Sequence, residues 1–295
     1  MSDNKQQCDA ESQALYLDLL KKTLRFDLWE DPGKPIEVLA YRAGIFKPLV
    51  VRAAGLLAKA RLRLVVLRDM EQERRVPGTT WPSWAHTMVG PDRLNHLQQV
   101  VETVLRENVP GDLIETGVWR GGSCILMKAV LKVHGDQFRR VFLADSFAGL
   151  PKPDAENYPA DKGDRHHLYS DFLAVSKEEV EQNFRQFGLF DDRIVFLKGW
   201  FKDTLPSAPI QQLSVMRLDG DMYESTTDAL NALYDKLSKG GFCIIDDYAL
   251  PNCGAAVEDF RNRRKITEPL IQIDYAGRFW RKQAAGVAAG DSGLK

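Results

Sequence analysis

Two apolar runs that each end in carboxylates constrain the fold of this chain more than any other feature. Residues 214–218 (SVMRL) are followed by Asp219, and residues 241–245 (GFCII) are followed by Asp246 and Asp247. Short apolar runs bounded by turn residues predict buried parallel strands. Because ligands of an open α/β sheet bind beyond the carboxyl ends of its strands, we expect the three aspartates to share one pocket.

Three carboxylates in one pocket repel each other unless a cation lies between them. A hard divalent cation suits a set of ligands that are all oxygens. The pattern therefore predicts a metal site formed by Asp219, Asp246 and Asp247. The alternative is that single aspartates of the set cap the helices that follow them.

The composition excludes several classes of protein. The chain has 295 residues with 40 Lys+Arg against 41 Asp+Glu, and this net charge of -1 argues against a nucleic-acid binder. Its four cysteines show no CxxC spacing, which predicts buried thiols in a reducing cytoplasm and no zinc site. The polar first residues lack the apolar core of a signal peptide. Charges divide the basic apolar run 44–67, so we expect no membrane span and no stable membrane association.

A glycine-bearing turn opens the second half of the chain. A strand at 112–115, a turn at 116–123 and a helix at 124–133 make the first unit of a Rossmann-like sheet. The turn has the form Gly-x-x-x-Gly-Gly, which is neither the dinucleotide fingerprint nor a P-loop, and so disfavours NAD dehydrogenases and nucleotide triphosphatases. The next strand, 141–145, ends in Asp145, which either binds ribose hydroxyls or caps a helix together with Ser146.

Further elements follow by pattern. The sequence predicts helices over 91–108, 176–187, 225–237 and 254–264, a strand over 193–197 and a closing hairpin over 270–281. Residues 238–241 are expected to end the third of these helices. Gly199 and Trp200 lie where a flat adenine can stack, although Trp200 also suits a core.

The long polar segment 147–170 predicts a lid or substrate loop. The adjacent His166 and His167 within it are expected to be solvated rather than functional. A second lid is predicted around Trp81. For the whole chain we predict a helical segment 1–80 that acts as a lid or in oligomerisation, a main domain 81–283, and a disordered Ala/Gly-rich tail 284–295.

Six motifs, in order, resemble the macrocin O-methyltransferase family. Members of that family are S-adenosylmethionine- and Mg-dependent enzymes that methylate deoxysugars of macrolide and aminocoumarin antibiotics. The motifs cover roughly residues 81–282, and the run 44–67 has no counterpart among them. They are AHTMVG (85–90), DLIETGVWRGG (112–122), ADSFAGLPKP (144–153), LKGWF (197–201), RLDGDMYES (217–225) and IDDY (245–248).

The resemblance implies a class I methyltransferase fold: α/β, Rossmann-like, with a seven-stranded, mostly parallel sheet whose last strand is antiparallel, plus a helical N-terminal appendage. It places Asp219, Asp246 and Asp247 on Mg²⁺ and makes Asp221 the general base. It also implies a small-molecule glycoside acceptor and a homo-oligomer. The residues that it places around S-adenosylmethionine are Thr87, Met88, Glu115, Gly117, Ser123, Asp145, Ser146, Gly199 and Trp200.

Three functions remain open at this point. The first is methylation of a sugar hydroxyl, a poor nucleophile that needs activation by a metal and a base. The second is metal-dependent methylation of a phenol or catechol, which needs less activation. The third belongs to another class, because Asp219-Gly220-Asp221 is a DxD motif of the kind that holds a metal against a diphosphate in nucleotide-sugar glycosyltransferases. A non-enzymatic interaction module is disfavoured, since such a module has no need for acids at several strand ends.

Overall fold

A computed structural model describes residues 2–30, 34–36, 44–66, 82 and 84–283 of the chain. The chain divides into two compact units, Met1–Pro91 and Asp92–Lys295. The predicted boundary near residue 80 stays a prediction. Trp81 and the predicted tail 284–295 lie outside the described residues.

The described part of the N-terminal unit is mostly helical. Its elements are α1 (Ser2–Leu24), β1 (Lys34–Pro35), α2 (Lys47–Lys59) and β2 (Val65–Val66). The two short strands pair antiparallel. Helix α1 buries Leu17, Leu20 and Leu24, which recur on one face of the helix.

The described residues of the basic apolar run 44–67 form a 3-10 turn at 44–46, a short strand at the other end and, between them, helix α2. Ala54 is the buried residue of this helix, whereas the apolar side chains of Ile45, Phe46, Leu49 and Leu56 are exposed. A subunit contact through this face stays a prediction.

The second unit is built on a seven-stranded sheet. Its strands are β3 (Asp112–Thr116), β4 (Val141–Asp145), β5 (Ile194–Lys198), β6 (Leu213–Leu218), β7 (Leu237–Ile245), β8 (Ile271–Gln272) and β9 (Arg278–Arg281). They lie in the order β5-β4-β3-β6-β7-β9-β8. Strands β3 to β7 pair parallel with their neighbours, and β9 runs antiparallel between β7 and β8. The predicted fold class is confirmed, including the antiparallel last strand.

Helices connect the strands and cover the sheet. They are α3 (Pro91–Arg106), α4 (Gly122–Val133), α5 (Ser170–Leu173), α6 (Lys177–Gln186), α7 (Phe201–Thr204), α8 (Tyr223–Leu233) and α9 (Pro251–Arg264). The hydroxyl of Ser176 accepts a hydrogen bond of 3.1 Å from the backbone N–H of Glu179, and so begins α6 with the predicted cap.

One prediction about the end of a helix is wrong. The helix expected over 225–237 is α8, which ends at Leu233 and passes through a short 3-10 turn into β7. Residues 238–241, expected to stop the helix, lie within this strand. Pairing with the last strand decides the outcome, because the N–H of Gly240 donates to the carbonyl of Lys282 at 2.6 Å. A pair of glycines indicates the end of a secondary-structure element only where no neighbouring strand supplies backbone hydrogen-bond partners.

The parallel register brings four strand ends to one edge of the sheet. Thr116 pairs with Ala144 on one side and with Leu218 on the other, and Leu218 pairs with Ile245. The chain runs outward from β3 to β5 and then returns to β6, so the order of the strands reverses between β3 and β6. Ligands of such sheets bind at this reversal. The residues that follow the aligned positions at this edge are Gly117, Asp145, Asp219 and Asp246.

Candidate active site

Three carboxylates converge where β6 and β7 end. Oxygens of Asp219, Asp221 and Asp247 all lie within 4.8 Å of one another, and each side chain is half-buried. Asp221 has a left-handed backbone (φ +57°), and its N–H donates to Asp247 at 3.3 Å. Such a conformation is uncommon outside glycine, although aspartate tolerates it better than most residues. The turn after β6 therefore directs Asp221 toward the end of β7.

Burial and mutual repulsion make this cluster unfavourable when all three groups are ionised. Burial, together with the charge of Asp219, raises the pKa of Asp221 to about 7. Burial, with the charges of Asp219 and Asp221, raises the pKa of Asp247 well above its usual range. A divalent cation among the oxygens would remove both penalties, because it neutralises the repulsion and replaces lost hydration. The residues present therefore fit a hard cation.

A buried arginine holds the neighbouring acids. Arg217 on β6 forms ion pairs with Glu115 on β3, with Asp219 at 3.0 Å and with Asp246 at 2.5 Å. Only 3% of its side chain is exposed. Sequence reasoning missed this residue, because a single arginine inside an apolar run was treated as part of the strand.

Asp246 is engaged by two arginines rather than by the carboxylate cluster. Its Oδ2 pairs with Arg93 on α3, which also donates through Nε to Asp274 at 2.9 Å. Its Oδ1 forms an ion pair with Arg217 at 2.5 Å. The structure thus brings together two of the predicted metal ligands, Asp219 and Asp247, adds Asp221, and engages both oxygens of Asp246 with arginines. Its role as a metal ligand stays a prediction.

The turn after β3 lies directly against the end of β6. Gly117 has a φ of +82°, and a Cβ at this position would lie 1.7 Å from the carbonyl oxygen of Asp219. Only glycine fits so close a backbone approach. Asp145 braces the same turn, because its Oδ2 accepts from the N–H of Val118 at 2.7 Å and its Oδ1 from that of Phe147 at 2.7 Å.

Other residues that are predicted to bind the methyl donor surround this turn. The N–H of Gly199 donates to the carbonyl of Asp145 at 2.9 Å, and Trp200 beside it is 38% exposed, so its indole face is open to a flat ring. Ser123 is buried in the first turn of α4. The adjoining backbone amides, the carboxylate and the exposed indole suit a nucleoside ligand.

Four residues predicted to bind the methyl donor have other partners or lie in the other unit. Glu115 is buried between Arg217 and the thiol of Cys124, which donates to it at 2.7 Å. The hydroxyl of Ser146 donates to the carbonyl of Gly149 at 2.7 Å and so shapes its own loop. Thr87 and Met88 belong to the N-terminal unit. Contacts of all these residues with a methyl donor stay predictions.

The chain is similar to known proteins over most of its length. The family model described as Macrocin-O-methyltransferase (TylF) matches residues 13–282. This match starts much earlier than residue 81, where the motif resemblance begins, and it includes the run 44–67. The expectation that this run has no counterpart in the family is therefore wrong.

Individual relatives match over nearly the whole chain. The 8-demethyl-8-(2,3-dimethoxy-alpha-L-rhamnosyl)-tetracenomycin-C 4'-O-methyltransferase of Streptomyces olivaceus is 48% identical, over 93% of this chain and 95% of that protein. The mycinamicin III 3''-O-methyltransferase of Micromonospora griseorubida is 42% identical, over 92% of this chain and 97% of that protein. The solved structure of the O-methyltransferase NovP is 43% identical, covers 92% of this chain and all of its own, and has a TM-score of 0.78.

In the described residues, no helix combines the length and the apolar composition needed to cross a bilayer.

Replacing Arg217 by Met should strongly destabilise the protein. The change leaves Glu115 and Asp246 buried without their shared cation, and breaking a buried ion pair in this way costs about 3–5 kcal/mol. Urea unfolding measures the loss. Arg185→Met, which removes an exposed pair with Glu181, is the control and should change the unfolding free energy by no more than about 0.5 kcal/mol. A loss below about 1 kcal/mol in Arg217→Met would show that the bridge is not structural.

The cation-free protein should become less stable as the pH rises. The pKa of Asp221 is 3.8 unfolded and about 7 folded, so its stabilising contribution is complete below 3.8 and is lost as the pH rises through 7. In a chelator, thermal unfolding at pH 5.5 and 8.5 should differ more in wild type than in Asp221→Asn. The exposed Asp192→Asn is the control and should keep the wild-type difference. An undiminished difference in Asp221→Asn would contradict this.

Proposed function

This chain belongs to the macrocin-O-methyltransferase family and is an O-methyltransferase, and from this we propose that it methylates a sugar hydroxyl of a glycosylated natural product in antibiotic biosynthesis. The observation that carries the proposal is the cluster of Asp219, Asp221 and Asp247 beside the glycine turn at the reversal point of the sheet. The tetracenomycin relative supports a sugar acceptor, because its name specifies a rhamnosyl group. The glycosyltransferase alternative is wrong, since the relatives that match nearly the whole chain are O-methyltransferases.

We propose Mg²⁺ as the cation of the cluster. Asp219 and Asp247 would hold it, together with Asp246, the third ligand that the sequence predicts. Mg²⁺ prefers carboxylate oxygens and usually keeps several positions for other ligands. When bound, such an ion lowers the pKa of a hydroxyl group and fixes its orientation.

Asp221 is the proposed proton acceptor. It lies two residues beyond Asp219 on the same turn, and its pKa of about 7 suits a base that works near neutral pH. The sugar hydroxyl is deprotonated as its oxygen forms the bond to the methyl carbon, and the proton moves to a carboxylate oxygen of Asp221. The bond from the methyl carbon to the sulfur of the donor breaks at the same time, and its electron pair leaves with S-adenosylhomocysteine. A positioned base of this kind contributes about 10²–10⁴-fold to the rate.

S-adenosylmethionine is the proposed methyl donor, and its sulfonium makes the methyl carbon electrophilic. Gly117, Ser123, Asp145, Gly199 and Trp200 would hold it at the ends of β3, β4 and β5. Segment 147–170 would exclude water above the site.

We also propose that the enzyme is a homo-oligomer in the cytoplasm. Cys124, Cys243 and Cys253 are free and buried, which suits a reducing cytoplasm. The exposed apolar face of α2 supports a homo-oligomer. The partner in catalysis is a small glycoside.

The direct test is an assay of the purified protein with S-adenosylmethionine and Mg²⁺ against glycosylated natural products and their aglycones. We expect methyl transfer to a sugar hydroxyl, no transfer to the aglycones, and loss of activity with a chelator that added Mg²⁺ restores. Mass spectrometry of the product locates the methyl group. Transfer to a phenolic aglycone without metal would instead establish the phenol alternative.

Replacing Asp221 by Asn should slow turnover without weakening donor binding. The amide keeps the size of the side chain and its left-handed backbone, but it cannot accept the proton. We expect kcat to fall by about 10²–10⁴-fold, while calorimetry with S-adenosylhomocysteine gives a Kd within about twofold of wild type. Asp192→Asn is the control and should keep wild-type kcat. Full activity in Asp221→Asn would rule out this residue as the base.

A further inference from the structure

The loop 147–170 is hydrogen-bonded to the helix that follows the turn carrying Asp221. Asp161 in this loop is fully buried, and its two oxygens accept from the N–H groups of Tyr223 at 2.7 Å and Glu224 at 2.9 Å. These are the first two residues of α8, directly after the turn. A carboxylate at a helix N-terminus satisfies N–H groups that have no partner within the helix.

A residue of α9 forms a second set of hydrogen bonds to the loop. The side-chain amide of Asn252 donates to Asp161 at 3.1 Å and to Asp164 at 3.2 Å. Asp161 and Asp164 are thereby held at a fixed separation across one side chain. These hydrogen bonds link the segment from Asp161 to His166 to the turn that carries the acid cluster.

His166 is oriented by this arrangement. Its Nδ1 lies 2.8 Å from Oδ2 of Asp164, and its backbone N–H donates to Oδ1 of the same carboxylate at 2.8 Å. The side chain of Asp164 is 5% exposed, whereas that of His166 is 38% exposed. A carboxylate on one ring nitrogen places the proton there and leaves the other nitrogen as an acceptor. Among the described residues, none makes a hydrogen bond to Nε2 of His166.

The imidazole is linked by hydrogen bonds to the turn of the proposed base. Asp164 shares the amide of Asn252 with Asp161, and Asp161 binds the first N–H groups of α8, which begins two residues after Asp221. Asp164 and His166 therefore form a pair that is linked to the turn of Asp221, with the carboxylate buried and the imidazole partly exposed. The expectation that both histidines of this loop are merely solvated does not account for a buried carboxylate that orients one of them.

We propose that Nε2 of His166 accepts a hydrogen bond from a second hydroxyl of the acceptor sugar, adjacent to the hydroxyl that is methylated. The inference rests on the proposed function, because it requires a sugar acceptor. A sugar ring carries neighbouring hydroxyls, and each can donate one hydrogen bond. While the reacting hydroxyl loses its proton to Asp221, the neighbouring hydroxyl keeps its own and fixes the ring. His166 thus selects acceptors that carry a free hydroxyl beside the reacting one.

His166→Asn separates this role from a structural one. The asparagine amide can take the place of Nδ1 and keep the bond to Asp164, but it has no atom in the place of Nε2. We expect the KM for the glycoside to rise about tenfold, the effect of one hydrogen bond. The Kd for S-adenosylhomocysteine and the Tm should stay at wild-type values. His166→Gln restores an acceptor near the position of Nε2 and should recover part of the KM.

Two controls complete the experiment. His134→Asn, at the exposed end of α4, should leave the KM unchanged. An acceptor in which the neighbouring hydroxyl is replaced by hydrogen should give wild type and His166→Asn the same KM, because the two changes then remove the same bond.

The outcomes distinguish the two proposals. If wild type methylates no glycoside, the proposed function fails, and this inference fails with it. If wild type is active but His166→Asn keeps its KM, only the role of His166 is overturned. The same holds if His166→Asn weakens S-adenosylhomocysteine binding as much as glycoside binding, or if the deoxygenated acceptor still separates the two proteins.

Discussion

The structure of the site depends on the position of one buried positive charge. Arg217 lies inside the sheet and compensates Glu115, Asp219 and Asp246, which come from three neighbouring strands or their ends. Burial of several carboxylates without a cation would be prohibitive. The arginine therefore permits the sheet edge to be acidic. This compensation has a limit, because within the described residues no arginine or lysine forms an ion pair with Asp221 or Asp247, and their charges depend on solvent, protons or a bound cation.

This limit separates adjacent acids into different roles. Asp246 and Asp247 are neighbours in sequence directly after β7, but their side chains have different partners. Asp246 accordingly turns toward Arg93 and Arg217, whereas Asp247 turns toward Asp221. Two guanidinium groups hold Asp246. Burial and mutual repulsion raise the pKa values of Asp221 and Asp247, and such groups are the ones that can exchange a proton or bind a metal.

Much of this could be predicted from the sequence. The apolar runs, their order and the acids that follow them indicated the parallel sheet and the common edge, because these signals are local and periodic. Arg217 escaped prediction because its partners are a strand away, and nothing in the run itself indicates them. The three aspartates Asp219, Asp246 and Asp247 indicated a cation, and a metal was predicted. The arginine two residues before Asp219 is also a cation, and it was overlooked. The break expected at Ser238–Gly241 failed for the same reason, since pairing across the sheet outweighed local turn preference.

The attachment of loop 147–170 also depends on contacts between residues that are distant in sequence. A polar segment with several prolines carries no periodic signal, so its length predicted a lid but not its attachment. Asp161 supplies that attachment by binding the first N–H groups of α8, and the start of this helix follows the turn that holds Asp221. The loop and the acid cluster therefore share one rigid support. A histidine displayed from such a support has a defined position relative to the cluster, and this geometric constraint, rather than the presence of an imidazole in a polar loop, is what makes His166 suited to recognise a substrate.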